Sequence, residues 1–157
     1  MMLYLKSAIF AVISQGVFAV LVPLLLAGDR SVSAGPAAAA AGLLFALGVA
    51  VYARCAWDFV RFGRGTPAPM DAPRQLVTRG LYRYVRNPMY LAVLAIIAGW
   101  AVLFGSVAVA IYGVAIFAFL SLSLRIYEEP RLARQFGDEY AGYCERVGRW
   151  LPRRRNP

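Results

Sequence analysis

The chain has 157 residues, 61% of them apolar, with 17 Lys and Arg against 8 Asp and Glu and no histidine. One domain suits that length, and the apolar share, well above the ~45–50% of soluble globular chains, points to a membrane. The composition excludes imidazole catalysis and His-ligated metals. Cys55 and Cys144 lack metal-ligand or disulfide spacing, so no metal is expected.

Four apolar stretches follow in order: about Ala8 to Ala27, Ala37 to Trp57, Met89 to Phe104 and Val107 to Leu124. About 20 helical residues cross a bilayer's hydrocarbon core. The first two stretches meet that length; the third and fourth, joined by Gly105-Ser106, read as a short, tight hairpin. None carries the regular polar face of a helix packed in a soluble core. The expected fold is therefore an all-α integral membrane protein with about four transmembrane helices. Residues 1–157 form one unit, 1–62 a two-helix N-terminal part and 63–157 the core that carries the chemistry.

The net charge of +9 would suit nucleic acid in a soluble protein, but its placement argues for a membrane topology and no nucleic-acid partner. Lys6, Arg54, Arg61, Arg64, Arg74, Arg79, Arg83 and Arg86, together with Arg125 and every later basic residue, fall on one side of four spans. Only Arg30, beside Asp29, falls on the other. The positive-inside rule makes the rich side cytoplasmic and places both termini there, in a cell membrane. The first stretch has no clear cleavage site and reads as an anchor. Ala38/Gly42 and Ala95/Gly99 have the small-xxx-small spacing of closely packed membrane helices.

Between the second and third stretches, Gly63-Arg64-Gly65-Thr66-Pro67-Ala68-Pro69 forbids regular structure. Arg79, Tyr82, Arg83, Tyr84, Arg86 and Tyr90 then crowd around Asn87-Pro88. Pro88 suits the first position of a helix, with Asn87 as its N-cap. The aromatic and basic residues match a membrane-interface belt with snorkelling arginines. After the fourth stretch come Arg125, Glu128 and Glu129, then a helix start at Pro130. Leu132, Phe136, Tyr140, Tyr143 and Val147 form one apolar stripe. This amphipathic helix, placed on the cytoplasmic side, either floats in the headgroup layer or folds back over the central loop to close a pocket. The two glutamates require cationic partners such as Arg125 or Arg86.

Three segments resemble the isoprenylcysteine carboxyl methyltransferase family, whose signature is shared with phosphatidylethanolamine methyltransferase-type membrane proteins. Leu76-Val77-Thr78-Arg79-Gly80-Leu81-Tyr82 is similar to its Leu-Val-x-x-Gly-x-Tyr approach, and Arg86-Asn87-Pro88-Met89-Tyr90 to its Arg-His-Pro-x-Tyr motif. Glu128-Glu129, Leu132, Phe136-Gly137, Tyr140, Tyr143, Val147, Arg149 and Pro152 resemble its C-terminal signature. The resemblance covers about the C-terminal two thirds and departs from the family at Asn87, where better-known members carry histidine.

The resemblance implies S-adenosylmethionine as cofactor and methyl transfer to a membrane lipid or a lipidated small molecule, of isoprenylcysteine carboxylate type or related. Carried over, Leu76, Val77, Tyr82, Arg86, Asn87, Pro88, Met89, Tyr90, Glu128 and Glu129 are the cofactor-binding set. Arg125 and Glu129 are the catalytic candidates, and either glutamate suits the cofactor contact. Carboxylates can pair with the cofactor's ammonium, and tyrosine faces can support its sulfonium. A carboxylate or thiolate acceptor needs no general base, whereas an amine must lose a proton, which leaves Glu128 or Glu129 to take it. Alternatives are a lipid N-methyltransferase and a non-catalytic membrane protein that keeps the pocket. A carrier would show ionisable groups near the bilayer midplane, and these stretches have essentially none.

Overall fold

The computed structural model describes residues 16–28, 31–58, 61–62 and 75–153. Residues 8–15 of the first apolar stretch, Lys6, the Asp29-Arg30 pair, Arg64, Arg74 and the Gly63–Pro69 segment lie outside the described residues. Among the described residues every regular element is helical, apart from one isolated parallel bridge between Val85 and Gly148. We label the helices α1 (Val17–Ala27), α2 (Pro36–Asp58), α3 (Pro88–Leu103), α4 (Val107–Ser123) and α5 (Glu129–Arg146). A 3₁₀ turn, Gly80–Arg83, precedes α3.

Two helical runs are long and apolar enough to cross a membrane: α2, with 23 residues, and the run Val107–Arg146, with 40. The second differs from the sequence reading, which begins a separate helix at Pro130. A π turn, Leu124–Glu128, carries α4 directly into α5, with the Glu129 N–H donating to the Leu124 carbonyl. The wider register absorbs the start of the Glu-Glu-Pro sequence without a break. The change of direction comes later, at Gly137, whose φ of 51° only glycine adopts readily. The 16 residues of α3 reach only about 24 Å at 1.5 Å per residue.

Helix α1 shows how proline redirects backbone hydrogen bonds. Val22 donates to the Val17 carbonyl in a π register, and Pro23 has no N–H to give. The carbonyls of Phe18 and Ala19 are thereby left to other partners. Tyr112 of α4 donates to the first at 2.8 Å and Trp100 of α3 to the second at 3.0 Å. These bonds tie α1 across the α3–α4 hairpin, where Ala19, Ala27, Val93, Ile97 and Val109 form a buried cluster. At the hairpin tip, the Ser106 hydroxyl caps α4 by accepting from the Val109 N–H. Ser33 of the α1–α2 connection donates its N–H to the Leu103 carbonyl at 2.7 Å.

Helices α2 and α3 pack antiparallel. A Cβ on Gly99 would fall 2.7 Å from the Phe45 ring, and one on Gly48 2.9 Å from the Ala92 carbonyl. The close approach thus uses Gly99 of the Ala95/Gly99 pair. Nothing lies within 4 Å of a Cβ at Gly42, so the Ala38/Gly42 spacing does not mark this crossing; Gly48 does.

Candidate active site

The two charged tracts meet where the turn before α3, the π turn after α4 and the chain after α5 converge. Pro88 occupies the first turn of α3, as its fixed φ and missing N–H favour, and Asn87 holds the cap position. The Asn87 side chain does not cap the helix, contrary to the sequence expectation. Its amide instead donates to the Arg149 carbonyl at 3.2 Å. The chain leaving α5 runs beside the turn here: the Arg86 N–H donates to the Gly148 carbonyl at 2.8 Å, and the Tyr143 hydroxyl to the Tyr82 carbonyl at 2.7 Å. Trp150 then lies 5.1 Å, ring to ring, from Phe117 of α4. The C-terminal segment is therefore a strap across the start of α3.

The strap fixes one of the two glutamates. Arg149 grips Glu129 with a two-pronged fork, Nε to Oε1 at 2.8 Å and an Nη to Oε2 at 2.7 Å. Arg86 adds a third guanidinium contact at 3.2 Å. With side chains 13–24% exposed, the cluster is partly shielded, and fork geometry is among the stronger charge-assisted arrangements. The hydrogen bonds to Glu129 raise the Arg149 guanidinium above its ordinary value. Arg86 also donates to the Cys144 sulfur at 2.7 Å. Its Nε is buried with no acceptor among the described residues.

Glu128 has a different environment. Its partner is a neutral phenol, the Tyr90 hydroxyl, donating at 2.5 Å from the first turn of α3. Burial raises the Glu128 carboxyl above the ordinary glutamate range, while the Tyr90 hydrogen bond and the charge of Arg131 act the other way. Consecutive residues on a helical turn point in directions about 100° apart. Glu129 thus meets the strap and Glu128 meets α3.

Val77, Tyr82 and Met89 are buried in an apolar cluster with Cys55 of α2. Leu76 packs with the Leu132, Phe136, Tyr140, Tyr143 and Val147 stripe, so α5 folds back over the segment before α3. Between Leu76, Val77 and Phe136 lies a cavity of about 580 Å³ whose walls include Arg61, Gln75, Arg79 and Glu139. Gly80 closes the local geometry: its φ is 60°, and a Cβ there would sit 2.1 Å from a carboxylate oxygen of Asp58. Asp58 is fully buried at the end of α2 and pairs with Arg54 at 2.8 Å.

The fold therefore brings together Arg86, Asn87, Tyr90, Glu128 and Glu129, with Pro88 setting the start of α3. Leu76 and Val77 border the adjacent cavity, Tyr82 and Met89 support it from the core, and Arg125 is exposed on the π turn. Two participants have no evident role in the sequence. Arg149 is there only part of a signature, and the signal for it is the glutamate pair's need for cations. Cys144, four residues after Tyr140, sits at the edge of the apolar stripe.

The donor set can be matched to S-adenosylmethionine. The Arg86 Nε, without an acceptor among the described residues, suits the cofactor's carboxylate, and the Glu128 carboxylate, which accepts from the Tyr90 phenol, suits its ammonium. The residues fit that group.

The chain is 41% identical over 64 residues to an uncharacterized protein of Haemophilus influenzae, a match covering 40% of this chain and 100% of that protein. The family model described as phospholipid methyltransferase matches residues 36–139, from the start of α2 into α5. That span holds both charged tracts and the hairpin between them, and the chain belongs to the phospholipid methyltransferase family.

Proposed function

We propose that this protein transfers a methyl group from S-adenosylmethionine to a lipid-like acceptor at the membrane–cytoplasm interface. One observation carries the reading. A carboxylate held by a neutral phenol, Glu128 on Tyr90, and a buried guanidinium donor with no acceptor among the described residues, Arg86 Nε, come together from distant tracts. Glu128 would hold the ammonium, Arg86 the carboxylate and the Leu76–Val77 cavity the adenosine. When bound, the cofactor supplies an electrophilic methyl on its sulfonium. Tyr90, beside Glu128, would be the aromatic ring available to support that charge. The strap and the apolar stripe of α5 exclude water and hold the reacting groups in line, which supplies much of the rate in a displacement that neutralises charge.

In this reading Glu129 is a positioning residue rather than a cofactor ligand, because its oxygens are already gripped by Arg149 and Arg86. Asn87 holds the strap and needs no proton to do so. We place four spans in the membrane, with both termini and the site on the cytoplasmic side, following the basic residues. Arg125, exposed beside the site, is assigned to the acceptor's anionic group.

A second acceptor class has support from Glu128 itself. Burial raises its carboxyl, and a raised carboxylate is suited to accept a proton from an amine headgroup. The isoprenylcysteine-type carboxylate and the amine therefore both remain open as acceptors, separable by product analysis.

Calorimetric titration with S-adenosylhomocysteine, in detergent and in native-lipid nanodiscs, tests the reading. Saturable micromolar binding that Glu128→Gln abolishes and Glu129→Gln largely keeps is the expected result. Absence of binding in both media would sink the methyltransferase reading in favour of a lipid-binding protein without catalysis.

A further inference from the structure

An apolar groove lies on the other side of α3 from the Tyr90–Glu128 pair. Pro88, Leu91, Ala92 and Ala95 form one face of that helix, and at 3.6 residues per turn Tyr90 points to the opposite side. Between this face and α2 runs a groove of about 240 Å³, reaching from Tyr84 and Val51 at one end to Leu47 and Ala95 at the other. The eight residues from Pro88 to Ala95 span about 10 Å of helix, so the space is elongated. It is smaller than the ~300–1,000 Å³ of ordinary small-molecule pockets. Except for the Tyr84 hydroxyl, its lining side chains are apolar.

The two ends differ chemically. Leu47, 52% exposed, opens the deep end onto the apolar outer surface of α2, one of the helices apolar enough to cross a membrane. The other end lies at the start of α3. There the Arg83 guanidinium stands 4.6 Å above the Tyr84 ring and donates to its hydroxyl. Arg83 is exposed, and among the described residues no carboxylate lines the groove. An apolar slot entered from the bilayer and ending at an interfacial cation complements a hydrocarbon chain that carries an anionic head.

We propose that this groove binds one acyl chain of an anionic phospholipid, with the phosphate on Arg83, as a site separate from the candidate active site. A guanidinium suits a phosphate because its planar fork matches two oxygens. The lipid bridges α2 to α3 and braces the turn from which Arg86 and Tyr90 project. The assignment is independent of the methyl-transfer reading, since α3 stands between the groove and the Tyr90–Glu128 pair.

Native mass spectrometry of the purified protein, equilibrated with phosphatidylglycerol and phosphatidylcholine of identical chains, tests this directly. One retained lipid is expected, with phosphatidylglycerol favoured by about fivefold, as one interfacial arginine implies. Arg83→Gln should bring the ratio to about one while lipid is still retained. Ala95→Phe, which fills the slot, should abolish retention of both. Equal retention of the two lipids by the wild type would overturn the proposal. So would retention unchanged in Ala95→Phe, or a dimer that this substitution dissolves, which would assign the groove to a second copy of the chain. Titration with S-adenosylhomocysteine on the same samples reads the other site separately.

Discussion

Glu129 and Arg149 offer the sharpest test of how the site is held. Arg149→Met removes two of the three guanidinium contacts on Glu129 and leaves only that of Arg86 at 3.2 Å. Hydrogen bonds to charged groups contribute about 1.5–3 kcal/mol. With both side chains about one fifth exposed and Arg86 still in place, the loss should be near the lower end, about 2 kcal/mol. Glu129→Gln keeps the shape but leaves two guanidiniums facing a neutral amide, again about 2–3 kcal/mol. The double variant has only one interaction to lose. It should therefore fall by about 3 kcal/mol rather than by the sum, a coupling of about 1–2 kcal/mol.

Equilibrium unfolding in mixed micelles, followed by tryptophan fluorescence, reads this cycle, because Trp150 of the strap packs against Phe117. S-adenosylhomocysteine affinity is measured on the same four proteins and should change by no more than about threefold, or about 0.7 kcal/mol. Additivity within about 0.5 kcal/mol would refute the clamp, since independent sites behave that way. A Glu129→Gln protein of normal stability that no longer bound the homocysteine analogue would make Glu129 the ligand and reverse the assignment of the pair.

Four further outcomes are expected. Tyr90→Phe removes the hydrogen bond to Glu128 and should weaken S-adenosylhomocysteine binding about five- to tenfold, the equivalent of about one net hydrogen bond, with the helical circular dichroism unchanged. Gly80→Ala meets both the positive φ and the Asp58 carboxylate; a loss of about 1–3 kcal/mol, seen as a lower melting temperature, is expected, and unchanged stability would discount that contact. Asn87→His should be tolerated, because an imidazole N–H can replace the amide donation to the Arg149 carbonyl; loss of strap fluorescence would show that the shape of Asn matters. Because Glu128 is raised, its protonation on acidification removes the charge that holds an ammonium. Affinity should therefore fall with decreasing pH at a midpoint above the ordinary glutamate range, and Tyr90→Phe, which removes the hydrogen bond that holds the Glu128 carboxyl down, should move that midpoint upward.

Much of this arrangement is legible in the sequence because the membrane simplifies the problem. Apolar stretches at Ala37 to Trp57, Met89 to Phe104 and Val107 to Leu124 match α2, α3 and α4 within about two residues, since length and uniform hydropathy define them. The stripe Leu132, Phe136, Tyr140, Tyr143 and Val147 points to a packed helix, and it packs on Leu76. The continuity of α4 into α5 is not legible. Pro130 reads as a start, and only a π register, a tertiary adjustment with no composition signal, carries the chain through. The role of Asn87 is hidden for a related reason. Local rules favour capping, whereas the acceptor it uses is a carbonyl 62 residues away.

The same logic explains why two adjacent acids do not duplicate one another. A strap that returns from α5 needs an anchor at the start of α3, and the ammonium of the proposed cofactor would need a carboxylate there too. One glutamate cannot serve both, because a carboxylate gripped by two guanidiniums has little charge left to offer. Two acids in succession on a helical turn separate the tasks by direction: Glu129 turns to Arg149 and Arg86, and Glu128 to Tyr90. The anchor also fixes the ligand side, because Arg86 touches Glu129 through one nitrogen while its Nε stays without an acceptor among the described residues. The strap, the start of α3 and the acceptorless donor are therefore positioned by one charged cluster. A substitution that frees the strap should therefore lower stability while the Arg86 contact to Glu129 at 3.2 Å still holds the guanidinium in place.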